Sequence, residues 1–302
     1  MDSVKKTALP PAVGPQARAA DHHQLSWSRS QAVRRAAGHL VLATVGILFF
    51  LPFFWLVSTS LKQLDQIFTL PPIWIPDPIR WQNYPESLTY FPFLLQLSNT
   101  LTITLSSVVL TLVSSSLVAY SFSRLRWPGR NILFYIMLST MMLPYQVTMV
   151  PLFIIFRQLG WINTLLPLIV PNLFGAPFFI FLLRQFFLGL PRDLDDAAII
   201  DGCSEWGVYR WIILPLSKPA LATVALFQFL GSWNDFLGPL IYLSDPNKFT
   251  LSLGIQVFVS TVGVQWGWMM AVTTVLTVPV IVLFFFTQRT FIQGIAFSGI
   301  KA

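Results

Sequence analysis

Long apolar stretches without charged residues recur along the chain and are separated by short segments that carry Lys, Arg, Asp or Glu. A charge at the centre of a membrane helix costs about 2.5 to 3.5 kcal/mol, so these stretches mark membrane crossings more sharply than hydropathy alone. A water-soluble protein would have to bury all six stretches in its core, and a chain of this length cannot build a core that large. The pattern therefore predicts an all-α membrane protein with six transmembrane helices, at about 40–61, 98–123, 131–157, 165–183, 219–243 and 268–288.

Composition supports this prediction and argues against an enzyme. The 302 residues are 55% hydrophobic and 10% charged, whereas about a quarter of the residues in a soluble domain carry charge. Cys203 is the single cysteine, and His22, His23 and His39 all precede the first apolar stretch. Disulfides, thiolate metal sites and imidazole catalysis within the membrane domain are therefore excluded. The sequence has no GxxxxGK[ST] phosphate loop, so the chain is not expected to bind ATP phosphates in that way.

The distribution of basic residues predicts the orientation, because Lys and Arg concentrate on the cytoplasmic side. If both termini are cytoplasmic, only Lys62, Arg80, Arg157 and Lys248 lie outside. The remaining basic residues are then cytoplasmic: Lys5, Lys6, Arg18, Arg29, Arg34, Arg35, Arg124, Arg126, Arg130, Arg184, Arg192, Arg210, Lys218, Arg289 and Lys301. We predict a multi-pass protein of the bacterial inner membrane.

Three regions follow from this topology. Residues 1–37 are predicted to be a disordered cytoplasmic tail, because they are mostly polar and no cleavable signal peptide is recognisable. Residues 38–292 form the six-helix transmembrane domain, and 293–302 form a cytoplasmic carboxyl tail.

The cytoplasmic segment 189–218, between crossings four and five, is patterned as a helix, a turn and a second helix. Asp193 is expected to cap the first helix, and its negative charge favours a helix start. Ala197 and Ala198 would form a small-residue face, and Gly202 permits the left-handed backbone that ends such a helix. Ser204 is expected to cap the second helix. A stiff element of this kind can transmit force from a partner into the membrane.

This segment resembles the EAA loop of ATP-binding-cassette importer permeases. The pattern of two alanines, a glycine separated by nine residues from an isoleucine, and a Leu-Pro pair is preserved, and aspartate replaces the first glutamate. The resemblance implies that the segment contains a coupling helix that contacts an ATPase. The predicted coupling residues are Asp196, Ala197, Ala198, Asp201, Gly202, Ile212, Leu214 and Pro215.

Other stretches extend the resemblance to the carbohydrate-uptake permeases of the maltose type, and in particular to the smaller of two permease partners. They include SNTLTIT, AYSFSRLRWPGRN, MMLPYQVTMVPLFIIFRQLGWINT, GSWNDFLGPLIYL and QRTFIQGIAFSGIKA. The resemblance implies a heterodimer with a second permease subunit, two ATPases that bind ATP and Mg, and an extracytoplasmic solute-binding protein. It also implies that this chain binds no cofactor or metal and contacts membrane lipid rather than nucleic acid.

Asp235 is the only acidic residue predicted within the membrane, and it lies beside Trp233 and Asn234. A carboxylate, a carboxamide and an aromatic ring together suit a sugar, so these residues and Gln228 are candidates for the solute path. The alternative is that Asp235 lies near the outer mouth and bonds to a neighbouring helix. Gln146, Asn172 and Gln228 could likewise line a path or connect helices.

Two further features have alternative interpretations. The outer loop 62–97 is rich in Pro, Trp and Tyr, which suits either an outward docking surface or an aromatic belt at the membrane interface. Prolines within apolar segments can kink helices, either in a gated pathway or in a static bundle: Pro144, Pro171, Pro177 and Pro279.

The sequence therefore predicts a permease subunit that imports a sugar or a sugar-like solute. An ion-coupled secondary carrier is the alternative, although a single intramembrane Asp offers little for a coupling ion. A membrane scaffold or sensor also fits the composition, but it leaves the spacing in 189–218 unexplained. The identity of the solute does not follow from this sequence.

Overall fold

A computed structural model describes the backbone of residues 15–260 and 263–299, and the side chains of 34–259 and 263–288. The fold is mostly helical. Its α-helices are α1 Pro15–Ser60, α2 Leu64–Ile67, α3 Asn83–Tyr90, α4 Phe93–Ser123, α5 Arg130–Ser139, α6 Tyr145–Gln158, α7 Leu166–Ile169, α8 Pro177–Leu188, α9 Asp193–Ile200, α10 Glu205–Gly207, α11 Leu214–Leu216, α12 Lys218–Trp233, α13 Leu237–Tyr242, α14 Leu251–Gly254 and α15 Trp266–Gly299. Short 3-10 or π turns extend several of them, at Thr140–Met142, Val170–Phe174, Val208–Ile213, Pro246–Lys248 and Ile255–Phe258. Strands β1 (Val259–Ser260) and β2 (Gly263–Val264) form one antiparallel pair.

The chain divides into two compact units, residues 1–55 and 56–302. In the first unit, α1 is helical from Pro15 onward, where the sequence predicted an irregular tail to residue 37. Good helix formers explain the difference, because residues 15–37 are rich in Ala, Gln and Arg and a proline is tolerated at a helix start. Residues 1–14, and the side chains of residues 15–33, lie outside the described part.

Among the residues that the structure describes, four helical segments are long and apolar enough to cross a membrane, at 34–60, 93–123, 166–188 and 266–288. Two bent helix pairs would raise the number to six if each pair is a single span. The pair 130–142 and 145–158 bends by 99°, and the pair 205–216 and 218–233 bends by 76°. The multi-pass prediction is confirmed, whereas the third and fifth predicted crossings are not continuous helices.

The four prolines predicted to kink helices lie in different helical contexts. Pro144 precedes α6 in an extended conformation, which interrupts the third predicted crossing. Pro171 lies in the 3-10 turn before α8, and Pro177 is the first residue of α8, where its missing N–H breaks no helical hydrogen bond. Pro279 lies inside α15, which continues past it. Three of these four prolines therefore lie at or beside the start of a helical segment, and only Pro279 lies within a continuous helix.

The fifth predicted crossing, 219–243, ends earlier than the sequence suggested. Helix α12 ends at Trp233, and α13 begins at Leu237 after a short break. Asp235 lies in this break, and its carboxylate accepts a hydrogen bond from the Gly238 N–H at 3.0 Å. A short acidic side chain that bonds the backbone ahead of it favours a turn over a continuing helix.

Helix α4 lies at the centre of the second unit and packs against α8 and α12. One side of α4 is a buried row of small polar residues: Thr100, Thr104, Ser107, Thr111, Ser114 and Ser115. Small hydroxyl residues allow membrane helices to approach closely and to hydrogen-bond. Near its carboxyl end, α4 instead contributes Ala119, Tyr120 and Phe122 to the main hydrophobic core.

The segment between α1 and α4 is folded against the helix ends. Asn83 donates hydrogen bonds to the carbonyls of Ser60 and Lys62, both at 2.9 Å. Arg80 and Glu86 form an ion pair at 3.0 Å. Trp74 and Trp81 have half or more of their surface exposed. Specific hydrogen bonds and an ion pair therefore fix this loop, and its two alternative roles stay predictions.

Candidate functional site

We name residues Asp193–Leu216 the elbow. Helix α9 forms its first arm, and a continuous helical run from Glu205 to Leu216 forms its second arm, with a π-helical stretch at its centre. Gly202 separates the arms and has a φ of +85°, in the left-handed region that favours glycine. The predicted helix, turn and helix are thus present in the structure.

The backbone at the turn closes α9 with two hydrogen bonds. The Cys203 N–H donates to the Ala198 carbonyl at 2.9 Å, and the Gly202 N–H donates to the Ile199 carbonyl at 3.0 Å. This is the Schellman arrangement, which satisfies the last carbonyls of a helix. Ser204 then caps the second arm by accepting from the Gly207 N–H at 3.3 Å. The turn is consequently built from specific backbone and side-chain bonds.

The start of α9 differs from the prediction. Asp193 is the first helical residue rather than the cap, and Arg192 precedes it with a helical backbone and no side-chain capping bond. A capping side chain usually belongs to a residue with extended backbone just before the helix. Here Arg192 occupies that position with a helical backbone, so the Asp193 carboxylate cannot cap α9. The acidic residues of the first turn still favour the positive end of the helix dipole.

The predicted coupling residues do not share one environment. Ala197 is exposed and Ala198 is buried, because neighbouring residues on a helix point about 100° apart. Ile212 and Leu214 are half-buried and pack against the core. The exposed members of the set are Asp196, Ala197, Asp201, Gly202 and Pro215.

The outer surface of the elbow also carries large apolar side chains that the sequence analysis did not single out. These are Leu194, Ile199, Ile200, Trp206 and Trp211, and Ile200 is 85% exposed. The sequence did offer a signal for this surface, because two tryptophans and three aliphatic residues lie among charged residues in one short segment. Exposed apolar clusters of this kind mark interaction surfaces.

An enclosed ion pair holds the elbow to α4. Arg124 Nη1 lies 3.0 Å from Asp195 Oδ2, with side-chain exposures of 4% and 13%. Arg124 Nη2 also donates to the carbonyls of Phe187 and Leu190, at 2.6 and 3.0 Å. Burial raises the pKa of the Asp195 carboxyl, and the nearby guanidinium opposes part of that rise. Sequence analysis used Arg124 only for topology and did not single out Asp195.

Two hydroxyl contacts lie beside this ion pair. The Tyr120 hydroxyl donates to the Glu205 carboxylate at 2.9 Å and lies 3.1 Å from the Glu205 carbonyl oxygen. The hydroxyls of Ser116 and Tyr209 are 2.8 Å apart. The rings of Tyr120 and Tyr209 also contact, with centroids 5.2 Å apart. The second arm of the elbow is therefore bonded to α4 as firmly as the first.

The four candidate solute-path residues each bond within the chain. Trp233 is buried and donates to the Leu276 carbonyl at 3.2 Å. Asn234 is exposed and donates to the Leu230 carbonyl of its own helix. Asp235 holds the Gly238 N–H, and Gln228 donates to Asn172 and to Ser232. Their side chains face different neighbours rather than one common space.

Asn172 connects three helical segments at the depth of the core. Its amide nitrogen donates to the Ser107 hydroxyl at 3.1 Å and to the Leu168 carbonyl at 3.0 Å. Its amide oxygen lies 3.2 Å from the donating amide of Gln228 and 3.4 Å from the Thr111 hydroxyl. Asn172 therefore connects the break before α8 to both α4 and α12, in agreement with the helix-connecting alternative.

Comparison with known proteins identifies the family. Residues 115–296 match the family described as the binding-protein-dependent transport system inner membrane component. The chain belongs to this family. As a binding-protein-dependent inner membrane component, it is a permease subunit of an ATP-binding-cassette importer and is not itself an enzyme.

Individual relatives agree with this assignment. The chain is 35% identical over 275 residues to the arabinooligosaccharides transport system permease protein AraQ of Bacillus subtilis, covering 89% of this chain and 96% of AraQ. It is 32% identical over 257 residues to the diacetylchitobiose uptake system permease protein NgcG of Streptomyces coelicolor, covering 84% and 85%.

A solved structure shares the fold of this inner membrane component. A chain of a bacterial ABC transporter involved in the import of the acidic polysaccharide alginate superposes with a TM-score of 0.76 at 22% identity. The match covers 87% of this chain and 98% of that chain. Across the side chains that the structure describes, no group of His, Cys, Asp and Glu has the arrangement of a metal site.

Proposed function

We propose that this permease subunit imports a sugar or a sugar-like solute, and that ATP with Mg is hydrolysed on partner ATPases. Relatives over most of the chain are named for arabinooligosaccharide and diacetylchitobiose transport, which supports an oligosaccharide. The observation that carries the mechanism is the elbow. It is closed by specific hydrogen bonds at Gly202 and joined to α4 by a buried ion pair, so it can transmit displacement without flexing.

The membrane arrangement in this proposal has six crossings, in which the bent pair 130–142 and 145–158 forms the third and α12 with α13 forms the fifth. Both termini, the elbow and the segment around Arg124 then lie in the cytoplasm, and the permease domain covers residues 38–292. The excess of Lys and Arg in these segments supports that orientation. A second permease subunit would complete the pathway, and an extracytoplasmic binding protein would deliver the solute.

The elbow is the surface proposed to contact an ATPase. Its exposed surface combines apolar residues, including Ile200 and Trp206, with the acidic residues Asp196 and Asp201. Stable protein interfaces combine apolar and polar side chains in this way. The EAA-type spacing supports the assignment of these residues to the coupling position, and Gly202 would hold the angle between the two arms.

For the solute path, we propose that Trp233 and Gln228 shape the bundle and that Asn234 is the member available to a solute. Asp235 would act as a turn residue, because its carboxylate already accepts the Gly238 N–H. This assignment keeps the four residues in the fifth crossing but gives them different roles.

Reconstituted uptake tests the function. The permease pair, the ATPases and the binding protein are placed in proteoliposomes and supplied with a labelled arabino- or chitooligosaccharide. The expected result is uptake when ATP is supplied on the side of the membrane that carries the ATPases and no ion gradient is present. Uptake that requires a proton or sodium gradient and ignores ATP would instead establish the ion-coupled carrier.

Cross-linking tests the proposed contact. Ile200→Cys, made in a Cys203→Ser background, should cross-link to an ATPase subunit with a short bifunctional reagent. Leu70→Cys is the matched control, since Leu70 is 91% exposed and lies in the segment predicted to face outward. Equal cross-linking from both positions, or none from Ile200→Cys in an assembled complex, would contradict the contact.

A further inference from the structure

Two residues of α4 and the residue that caps its carboxyl end bond the elbow, and they are spaced four residues apart. Ser116, Tyr120 and Arg124 therefore lie above one another on a single face of the helix. At 1.5 Å per residue they cover about 12 Å of the helix axis. These contacts join segments that are not neighbours in the sequence, because the elbow directly follows α8 and precedes α12, whereas α4 is far from it along the chain.

The partners of these residues span both arms of the elbow. Arg124 bonds Asp195 on the first arm, whereas Tyr120 and Ser116 bond Glu205 and Tyr209 on the second arm. The contacts are thus distributed on both sides of the Gly202 turn. If either arm rotated about the turn, the contacts between that arm and the end of α4 would break. The elbow and the end of α4 are therefore held as one body.

Two more arginines secure the carboxyl end of α4. Arg184 of α8 donates to the Phe122 carbonyl at 3.2 Å, and Arg192 donates to the Ser123 carbonyl at 3.4 Å. These carbonyls belong to the last turn of α4, where no intrahelical donor is available and positive charge is favoured. Side chains of α8 and of Arg192 therefore bond the carboxyl end of α4, and Arg124 at that end bonds the elbow in return.

We propose that Ser116, Tyr120 and Arg124 are positioning residues that make α4 a driven helix of the importer. Displacement of the elbow by the ATPases then moves α4 directly, through this ladder, as well as α8 and α12. Helix α4 packs against both of these helices along the membrane, so its movement reaches the middle of the bundle. This inference rests on the proposed function of the elbow and adds the route by which force enters the membrane.

Isosteric substitutions test the ladder in the reconstituted importer. Tyr120→Phe and Asp195→Asn, singly and together, remove the hydroxyl and the charge but keep the shape. The expected result is a several-fold fall in solute transported per ATP hydrolysed, with normal assembly and little change in ATPase activity. A merely structural role would lower transport and ATPase activity in proportion and leave their ratio unchanged.

Matched controls use the same chemistry away from the ladder. Tyr135→Phe alters an exposed tyrosine of α5, and Asp65→Asn removes one exposed charge from the first turn of α2, outside the elbow. Both should keep the wild-type transport-to-ATP ratio. An unchanged ratio in the assembled Tyr120→Phe/Asp195→Asn double variant would overturn the proposal, as would an equal fall in the two controls.

A distance measurement covers the case in which the double variant fails to assemble. Spin labels at Leu117→Cys on α4 and Arg210→Cys on the elbow, in a Cys203→Ser background, should keep one distance in the nucleotide-free and ATP-bound importer. A change of several ångströms would show that the elbow slides past α4. Failure of wild-type ATP-driven uptake would instead contradict the proposed function, so the two outcomes are distinguishable.

Discussion

Arg124 and Asp195 form an ion pair that is enclosed but incompletely hydrogen-bonded. The second carboxylate oxygen, Asp195 Oδ1, and the guanidinium nitrogen Arg124 Nε have no hydrogen-bond partner among the described residues. Taking two charges out of water costs several kcal/mol each, and only part of that is returned by their attraction. The pair therefore specifies where the elbow sits rather than adding much to stability.

This imbalance predicts the pH dependence of stability. Burial raises the pKa of the Asp195 carboxyl above its ordinary value, so between the ordinary and the raised pKa the folded chain holds a proton that the unfolded chain has lost. The stabilising contribution is complete below the ordinary pKa and is lost as the pH rises through the raised one. Thermal unfolding midpoints of the wild type minus those of Asp195→Asn should fall across this window. A difference that grows with pH would mean that Arg124 outweighs burial.

Substitution at Gly202 should uncouple the elbow. A β-branched side chain in the left-handed region is strained, and Gly202→Val is expected to cost about 1 to 2 kcal/mol. Gly202→Asn should cost less, because asparagine tolerates this conformation. We expect solute transport per assembled complex to fall in the order wild type, Asn, Val.

Gly129 provides the control for backbone strain alone, since its φ is +83° and no atom lies within 4 Å of an added Cβ. Gly129→Val should lower the unfolding midpoint as much as Gly202→Val but retain more transport. If both variants lose transport equally, general destabilisation is sufficient and the turn has no special role.

The contact between Gly238 and Asp235 predicts a second effect. A methyl group at Gly238 would clash with the Asp235 carboxylate and lie 2.9 Å from Leu168 Cδ2. Gly238→Ala should therefore lower the unfolding midpoint. Gly231→Ala is the matched control in α12, where an added Cβ meets nothing within 4 Å, and it should be neutral or slightly stabilising.

Asp235→Asn separates a turn residue from a solute ligand. Asparagine keeps an oxygen that can accept the Gly238 N–H, so assembly and uptake should be close to wild type, whereas Asp235→Leu should lower both. Concentration-dependent uptake measures the apparent affinity for solute. A large loss of affinity in a stable Asp235→Asn importer would place the carboxylate in the solute path.

Loss of the Asn172 amide should destabilise the break before α8. Asn172→Leu leaves the Gln228 amide and the Leu168 carbonyl without this partner, at an expected total cost of about 1 to 2 kcal/mol. Asn131→Leu, at an exposed position, is the control. Equal unfolding midpoints for both variants, measured in detergent, would show that Asn172 contributes no net stability.

Local signals in the sequence were sufficient for the elements of the elbow. Gly202 must end a helix with left-handed backbone, and Ser204 can accept from an N–H three residues later; both follow from the chemistry of a few neighbouring residues. The start of α9 was predicted less well, because Asp193 and Asp195 both suit a first turn. Which of them faces α4 depends on where Arg124 lies.

The transmembrane pattern shows the same division. Apolar length alone located the spans 34–60, 93–123 and 266–288 to within a few residues, because the membrane requires long uncharged helices. It did not locate the bends, since a proline or an Asp-containing turn interrupts a helix only where neighbouring segments satisfy the freed backbone groups.

The sequence by itself determined that this chain crosses the membrane several times and carries an EAA-type elbow, because both depend on composition and on spacing within short segments. Tertiary structure decided that Arg124 meets Asp195 and that Gln228 meets Asn172. These pairs are 71 and 56 residues apart, and no local pattern distinguishes a bonded pair from an unbonded one at such distances. Only the packing of α4 against α8 and α12 brings them within hydrogen-bonding range.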